Sequence, residues 1–178
     1  MNINIRPATP ADFEAIANVY NEAIFKGGIT MDTEPKQATD IQKVVQTMGD
    51  REIWLVAALG DPLEGSLEKP SKNCIAGWGV VKKYSDRPGY HFCCETSVYL
   101  TFSKVGKGYG KALQAALMEQ AAAYSYRHVV AKILANNQSS IRFHKQFGFT
   151  PVGIQKEIGF IQDQWHDVMI MQCLIPSS

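Results

Sequence analysis

Three glycines crowd the turn Val105-Gly106-Lys107-Gly108-Tyr109-Gly110-Lys111, and its flanks decide what the turn joins. Upstream, Glu95-Thr96-Ser97-Val98-Tyr99-Leu100 alternates as a strand does. Downstream, apolar Leu113, Ala116, Leu117, Ala121 and Tyr124 recur at helical spacing, which predicts a helix over Ala112–Tyr126. Such a strand-to-helix turn offers backbone N–H groups to an anion, and the helix N-terminus adds the positive end of its dipole. The turn therefore suits a phosphate, although an ordinary glycine turn accounts equally well for the loop taken by itself. Two familiar phosphate loops fail on spacing. A Walker loop needs Ser or Thr after Gly-Lys to hold magnesium, whereas Gly106-Lys107 runs into Gly108 and Gly110-Lys111 into Ala112. The dinucleotide fingerprint needs glycines at its first, third and sixth positions. Counted from Gly106 the sixth is Lys111, and counted from Gly108 it is Leu113.

The chain has 178 residues, enough for one domain, expected over 1–178, with its own core. A net charge of +1 gives no reason to expect nucleic acid or a membrane surface as a partner. Met1-Asn2-Ile3-Asn4-Ile5-Arg6 lacks the basic start and long apolar stretch of a signal peptide, and no segment is long enough to span a bilayer. The cysteines, Cys74, Cys93, Cys94 and Cys173, form no Cys-x-x-Cys pair. Neither a zinc site nor a disulfide framework is supported, and His91, His128 and His166 do not sit at ligand spacings, so no metal is assigned. A reduced, cytoplasmic protein is expected.

Strands are expected at Asn2–Arg6, Trp54–Leu59, Cys74–Lys82, Tyr90–Leu100, Val129–Ala135, Gly153–Phe160 and Asp167–Leu174. Helices are expected after Thr9-Pro10-Ala11-Asp12, where Thr9 can cap, and over Asp40–Met48 and Asn137–Gln146. Gly60–Asn73 reads as an exposed loop that could cover a site or do nothing. One βαβ unit, Tyr90–Ala135, sits among strands of antiparallel meander type. The pattern predicts an α+β sheet with helices on both faces.

Further marks recur in order: Val105-x-x-Gly108-x-Gly110, then Asn137-x-x-Ser140, His144 and Gly148-Phe149. This series resembles the GNAT acyltransferase superfamily, in which the glycine loop cradles the pyrophosphate of coenzyme A. Glu95-x-Ser97-Val98-Tyr99-Leu100, Asn21-Glu22-Ala23-Ile24, Thr30-x-x-Thr33-Glu34-Pro35 and Trp165-His166-Asp167-Val168 resemble the phosphinothricin and methionine sulfoximine acetyltransferases within it. The likeness runs from Ile5 to about Leu174. Three residues depart from it. Val105 stands where Gln or Arg is usual, Ser85 replaces the first arginine of an Arg-x-Arg pair whose second is Arg87, and Met31 replaces an aromatic.

The resemblance implies a GNAT-type α+β fold, a mixed and largely antiparallel sheet with a splayed strand pair for coenzyme A. It implies acetyl transfer from acetyl-CoA to the α-amino group of a small amino acid or analogue, by direct attack in a ternary complex, in a homodimer. Backbone groups of Gly106, Lys107, Gly108, Tyr109, Gly110 and Lys111 would hold the pyrophosphate, although both lysines suit a solvated surface equally. Val98, Tyr99 and Leu100 would pair with the pantetheine arm and offer an N–H to the thioester oxygen. Asn137 would cap its helix and touch the coenzyme. Glu95 is the candidate general base; its alternative is a salt bridge. His144 is the candidate donor to the leaving thiolate; its alternative is a helix histidine satisfied by a neighbour's carbonyl. Arg87 can bind a carboxylate or phosphinate through two parallel hydrogen bonds, or lie in solvent. Tyr90, Thr30 and Met31 are candidate pocket walls. The rivals are a GNAT enzyme acting on a peptide N-terminus or a polyamine, and a coenzyme A-binding module without catalysis.

Overall fold

The computed structural model describes residues 3–59 and 74–176, so the expected loop Gly60–Asn73 lies outside the described residues, as does Asn2 of the expected first strand. The chain runs β1 (Asn4–Pro7), α1 (Phe13–Lys26), α2 (Ala38–Gln46), β2 (Ile53–Ala58), β3 (Ile75–Lys83), β4 (Cys93–Leu100), α3 (Tyr109–Ala123), β5 (His128–Leu134), α4 (Gln138–Lys145), β6 (Thr150–Ile161) and β7 (Gln164–Leu174). One seven-stranded sheet has the order β1-β2-β3-β4-β5-β7-β6. Every neighbouring pair is antiparallel except β4 and β5, the two strands of the βαβ unit.

Strand parity sorts the core into two layers. Ile75, Trp78 and Val80 of β3 pack with Phe13, Ile16 and Val19 of α1 and Ile41 of α2. On the other face Leu113, Leu117 and Ala121 of α3 join Val129, Ala131 and Ile133 of β5, with Ile141 of α4 alongside. Gly79 brings α3 close, since a Cβ there would lie 2.7 Å from Leu117 Cδ1. Among the described residues, no helix is long and apolar enough to cross a membrane.

Several element boundaries differ from those expected; β6 and β7, for example, each begin three residues earlier. The central helix begins at Tyr109, three residues before Ala112. Gly108 adopts φ +87° and makes the turn itself, and its carbonyl accepts the first helical hydrogen bond from Ala112 N at 3.0 Å. That helix stops at Ala123, and Ser125 follows at φ +61°. The helix expected from Asp40 begins at Ala38, because Asp40 Oδ2 accepts the N–H of Gln37 at 2.9 Å and so occupies the third position of the first turn. The strand expected from Tyr90 begins at Cys93, since Pro88–Tyr90 form a short 3-10 turn.

Candidate active site

The site begins where a ladder stops. β4 and β5 pair at Cys93↔His128, Cys94↔Val129 and Glu95↔Val130, and the ladder goes no further. Each strand is held on its other side, β4 by β3 as far as Leu100↔Gly77 and β5 by β7 as far as Leu134↔Val168. The two strands therefore part beyond Glu95. The resulting cleft, about 400 Å³, has Thr96–Leu100 on one wall and Ala131–Ile133 on the other. Its walls carry backbone groups that no longer have a strand to bond, the condition an extended, amide-bearing arm needs.

The glycine turn lies at one end of this cleft, with Gly106, Gly108, Gly110 and Lys111 in its lining. Gly106 and Gly108 sit at φ +79° and +87°, where a side chain is strained. The N–H groups of Gly108, Gly110 and Lys111 precede the first helical hydrogen bond and have no acceptor within α3. Tyr109 turns its ring into the core, so its contribution to an anion would come from its backbone. Lys107 is exposed and outside the lining. Across the cleft, Asn137 Oδ1 accepts the N–H of Ser140 at 3.1 Å, and Asn137 also lines the cleft.

His144 lines the same cleft and is buried. Its Nδ1 lies 2.8 Å from the carbonyl oxygen of Ser140. A carbonyl can only accept, so Nδ1 carries the hydrogen and Nε2 presents a lone pair. Nε2 is buried without a hydrogen-bond partner, and burial lowers the ring's pKa against the opposing pull of Ser140. In its neutral form this imidazole accepts a proton at Nε2, and it donates there only after taking one up.

Glu95 faces the α1–α2 layer, in the same parity as Ser97 and Tyr99. It is 7% exposed, yet its two oxygens meet Lys82 Nζ at 3.1 Å and Lys132 Nζ at 2.7 Å. Both lysine side chains are about half exposed. The salt-bridged arrangement thus stands at the last residue of β4 that pairs with β5, and Glu95 is not itself among the described residues that line the cleft.

The expected substrate residues divide. Tyr90 meets Tyr84 at 5.3 Å between ring centroids with the planes tilted by 58°, and Tyr84 lies beneath Lys132, the partner of Glu95. Arg87 is exposed on the same loop, its N–H held by Ser85 Oγ at 3.2 Å. Thr30 is buried, with its hydroxyl 2.8 Å from that of Tyr20. Met31 rests directly on Gly159 of β6. The sequence reading passed over Tyr20, Asp32, Trp54, Trp78, Lys82 and Lys132. Strand parity already put Trp78 and Lys82 on one face of β3. Only the registers Trp78↔Tyr99 and Lys82↔Glu95 set them beside β4. Among the described residues, no group of three His, Cys, Asp or Glu could hold a metal ion.

Residues 5–170 match the family described as acetyltransferase (GNAT) domain. The phosphinothricin N-acetyltransferase of Streptomyces coelicolor is 30% identical, over 93% of this chain and 92% of its own. The L-methionine sulfoximine/L-methionine sulfone acetyltransferase of Salmonella typhimurium is 28% identical, over 96% and 93%. Among solved structures, a phosphinothricin acetyltransferase from Sinorhizobium meliloti in complex with AcCoA superposes with a TM-score of 0.85 at 27% identity, over 98% of this chain and 89% of that one.

Proposed function

This chain belongs to the GNAT acetyltransferase family and is an N-acetyltransferase that uses acetyl-CoA; we propose that its acceptor is the α-amino group of a free amino acid or amino-acid analogue, attacked directly in a ternary complex. The observation that carries this reading is Glu95, a carboxylate at the fork where β4 and β5 part, held by two ammonium groups on flexible stems.

The cosubstrate supplies an acetyl group activated as a thioester. Backbone N–H groups of Gly106–Lys111 hold its pyrophosphate, with Lys107 and Lys111 adding charge. The open edge of Val98, Tyr99 and Leu100 holds the pantetheine arm, and one of its N–H groups faces the thioester oxygen. Asn137 contacts the coenzyme while its Oδ1 caps α4. An amino acid's ammonium cannot attack until it loses a proton, and Glu95 takes that proton directly or through a water. His144 takes up at Nε2 the second proton, shed by the attacking nitrogen as the tetrahedral intermediate collapses, and passes it to the departing sulfur. Arg87 pairs with the acceptor's carboxylate, and Tyr90, Thr30 and Met31 wall the approach.

Two contacts favour a small acceptor over a peptide. The β6–β7 hairpin folds against the segment after α1. Met31 lies on Gly159, and Gln162 Oε1 comes within 3.6 Å of where a Cβ on Gly27 would sit. An extended peptide needs a groove that continues between these segments. The same hairpin exposes Val152 (59%), Phe160 (55%) and Trp165 (62%), an apolar surface that supports the reading of a homodimer. The enzyme is read as cytoplasmic.

The test is thiol release from acetyl-CoA across free amino acids, methionine sulfoximine, methionine sulfone, phosphinothricin, spermidine and a short peptide. Turnover confined to free amino acids and their analogues is expected. Turnover on the peptide or spermidine alone overturns the acceptor.

A further inference from the structure

A second hollow, about 510 Å³, opens on the Glu95 side of β4 beneath α2. It shares Ser97 and Tyr99 with the coenzyme cleft, and its wall includes Lys82, which also reaches Glu95. Resting on the reading of Glu95 as the group that deprotonates the acceptor, we propose that this hollow receives the acceptor's side chain and that this side chain is an aromatic ring.

Four rings make its inner wall. Trp54 and Trp78 stack at 4.5 Å between centroids and 7° between planes. Trp78 and Tyr99 lie 4.7 Å apart, and Tyr20 meets Tyr99 edge-on at 4.8 Å. A flat ring slid against such a wall gains offset or edge contacts beyond its apolar burial. Trp78 Nε1 is buried without a hydrogen-bond partner among the described residues, so an occupant that brings an acceptor atom, or a water with it, supplies what they leave out.

Charge argues against a phosphinate or carboxylate side chain here. The hollow is lined by Lys36, Lys82 and Lys83, and each stands within ion-pair distance of a carboxylate: Asp32 at 3.5 Å, Glu95 at 3.1 Å, and Asp86. No arginine is among its lining residues. Asp32 is further engaged by Tyr20, whose hydroxyl donates to Oδ2 at 2.7 Å. An anionic group would have to break one of these pairs, whereas an uncharged ring leaves them in place. The reach is right as well. Ser97 is two residues from Glu95 on the same face, a step of roughly 7 Å, comparable to the distance from the α-nitrogen to the far edge of a benzyl side chain.

The experiment measures kcat/KM for phenylalanine, tyrosine, tryptophan, alanine, methionine sulfone and phosphinothricin. It uses the wild type and Val44→Trp, a change at a half-exposed position of α2 on the hollow's rim. In parallel, intrinsic tryptophan fluorescence is titrated with phenylalanine, in the wild type and in Glu95→Gln. Aromatic acceptors should exceed alanine by at least 30-fold in kcat/KM in the wild type, and Val44→Trp should cut that ratio by at least tenfold. Phenylalanine should perturb the fluorescence in both proteins. Fluorescence that responds saturably to phenylalanine, and not to alanine or phosphinothricin, without turnover on any amino acid, would sustain the hollow and overturn the reading of Glu95. Turnover on alanine, methionine sulfone or phosphinothricin at rates equal to or above phenylalanine overturns the hollow and leaves the reading of Glu95 standing.

Discussion

Asp12, at the start of α1, and Glu95, in the middle of β4, are both buried carboxylates paired with cations, but their surroundings are built differently. Asp12 accepts Arg6 Nη1 and Nη2 at 2.7 and 2.8 Å, and the N–H and hydroxyl of Thr9 at 2.8 Å each. Burial pushes its pKa up, but these hydrogen bonds, led by that of Arg6, outweigh it and bring the group down to about 2. Its donors are a planar fork and a fixed piece of backbone. The donors to Glu95 are two ammonium groups on flexible, half-exposed stems. Burial and pairing alone do not separate a structural carboxylate from a reactive one. On the proposed role of Glu95 the stiffness of the partners does, because only mobile partners can yield to an incoming amine.

The largest effect is expected at the mobile corner. Glu95→Gln should lower kcat at saturating acetyl-CoA by about 10²–10⁴-fold, the usual contribution of a positioned general base. Thermal stability should hardly move, since Lys82 and Lys132 can turn to water when the charge between them goes. Steady-state kinetics alongside a melting curve checks both halves. A variant that melts much earlier, or turns over normally, breaks the distinction between the two corners.

The rigid corner should answer the other way. Asp12→Asn should cost about 2 kcal/mol of stability, the worth of a pKa brought from 3.8 to about 2. In a chain of this size that lowers the melting temperature by about 4–8 °C. Turnover at 25 °C should be preserved. The pH dependence has a definite sign. Asp12 is depressed in the folded state, so its contribution is fully present above about pH 4 and is lost as pH falls towards 2. Denaturant melts of wild type and Asp12→Asn should therefore converge across that window. A gap that persists at pH 2 assigns the loss to packing.

The legible parts of this molecule are those written within a few consecutive residues. The glycine turn, the cap at Asn137 and the shared parity of Glu95, Ser97 and Tyr99 depend on local backbone, and each occurs, the turn shortened by a helix that starts at Tyr109. What escaped depends on register. Nothing in a strand's own residues says that Lys82 will lie opposite Glu95, or that Trp54, Trp78 and Tyr99 will build one wall. Thr9-Pro10-Ala11-Asp12 was legible as a helix start with its polarity reversed: Thr9 donates to Asp12, and the unseen partner is Arg6, from β1. Of the two readings of His144, the geometry carries the histidine satisfied by a neighbour's carbonyl, and the proton donor stays a proposal. Nδ1 is satisfied by the carbonyl of Ser140, and that hydrogen bond leaves the lone pair on Nε2, which is buried and without a partner among the described residues.

The smallest effect separates charge from shape. Arg6→Lys keeps the charge beside Asp12 and removes the fork. Arg6 meets Oδ1 and Oδ2 with separate nitrogens, whereas a lysine offers one nitrogen to a carboxylate whose side chain is fully buried. One buried acceptor position is then left to find another donor, at a cost of about 1 kcal/mol. The reciprocal change, Lys132→Arg, should leave stability within about 0.5 kcal/mol, because the lysine end of that pair is half solvated already and its geometry is not shared with backbone. Urea melts of both variants decide the matter. Equal losses would mean that net charge alone holds both corners, and the stiffness of Asp12's partners would then lend nothing to the proposal that Glu95 is the carboxylate that reacts.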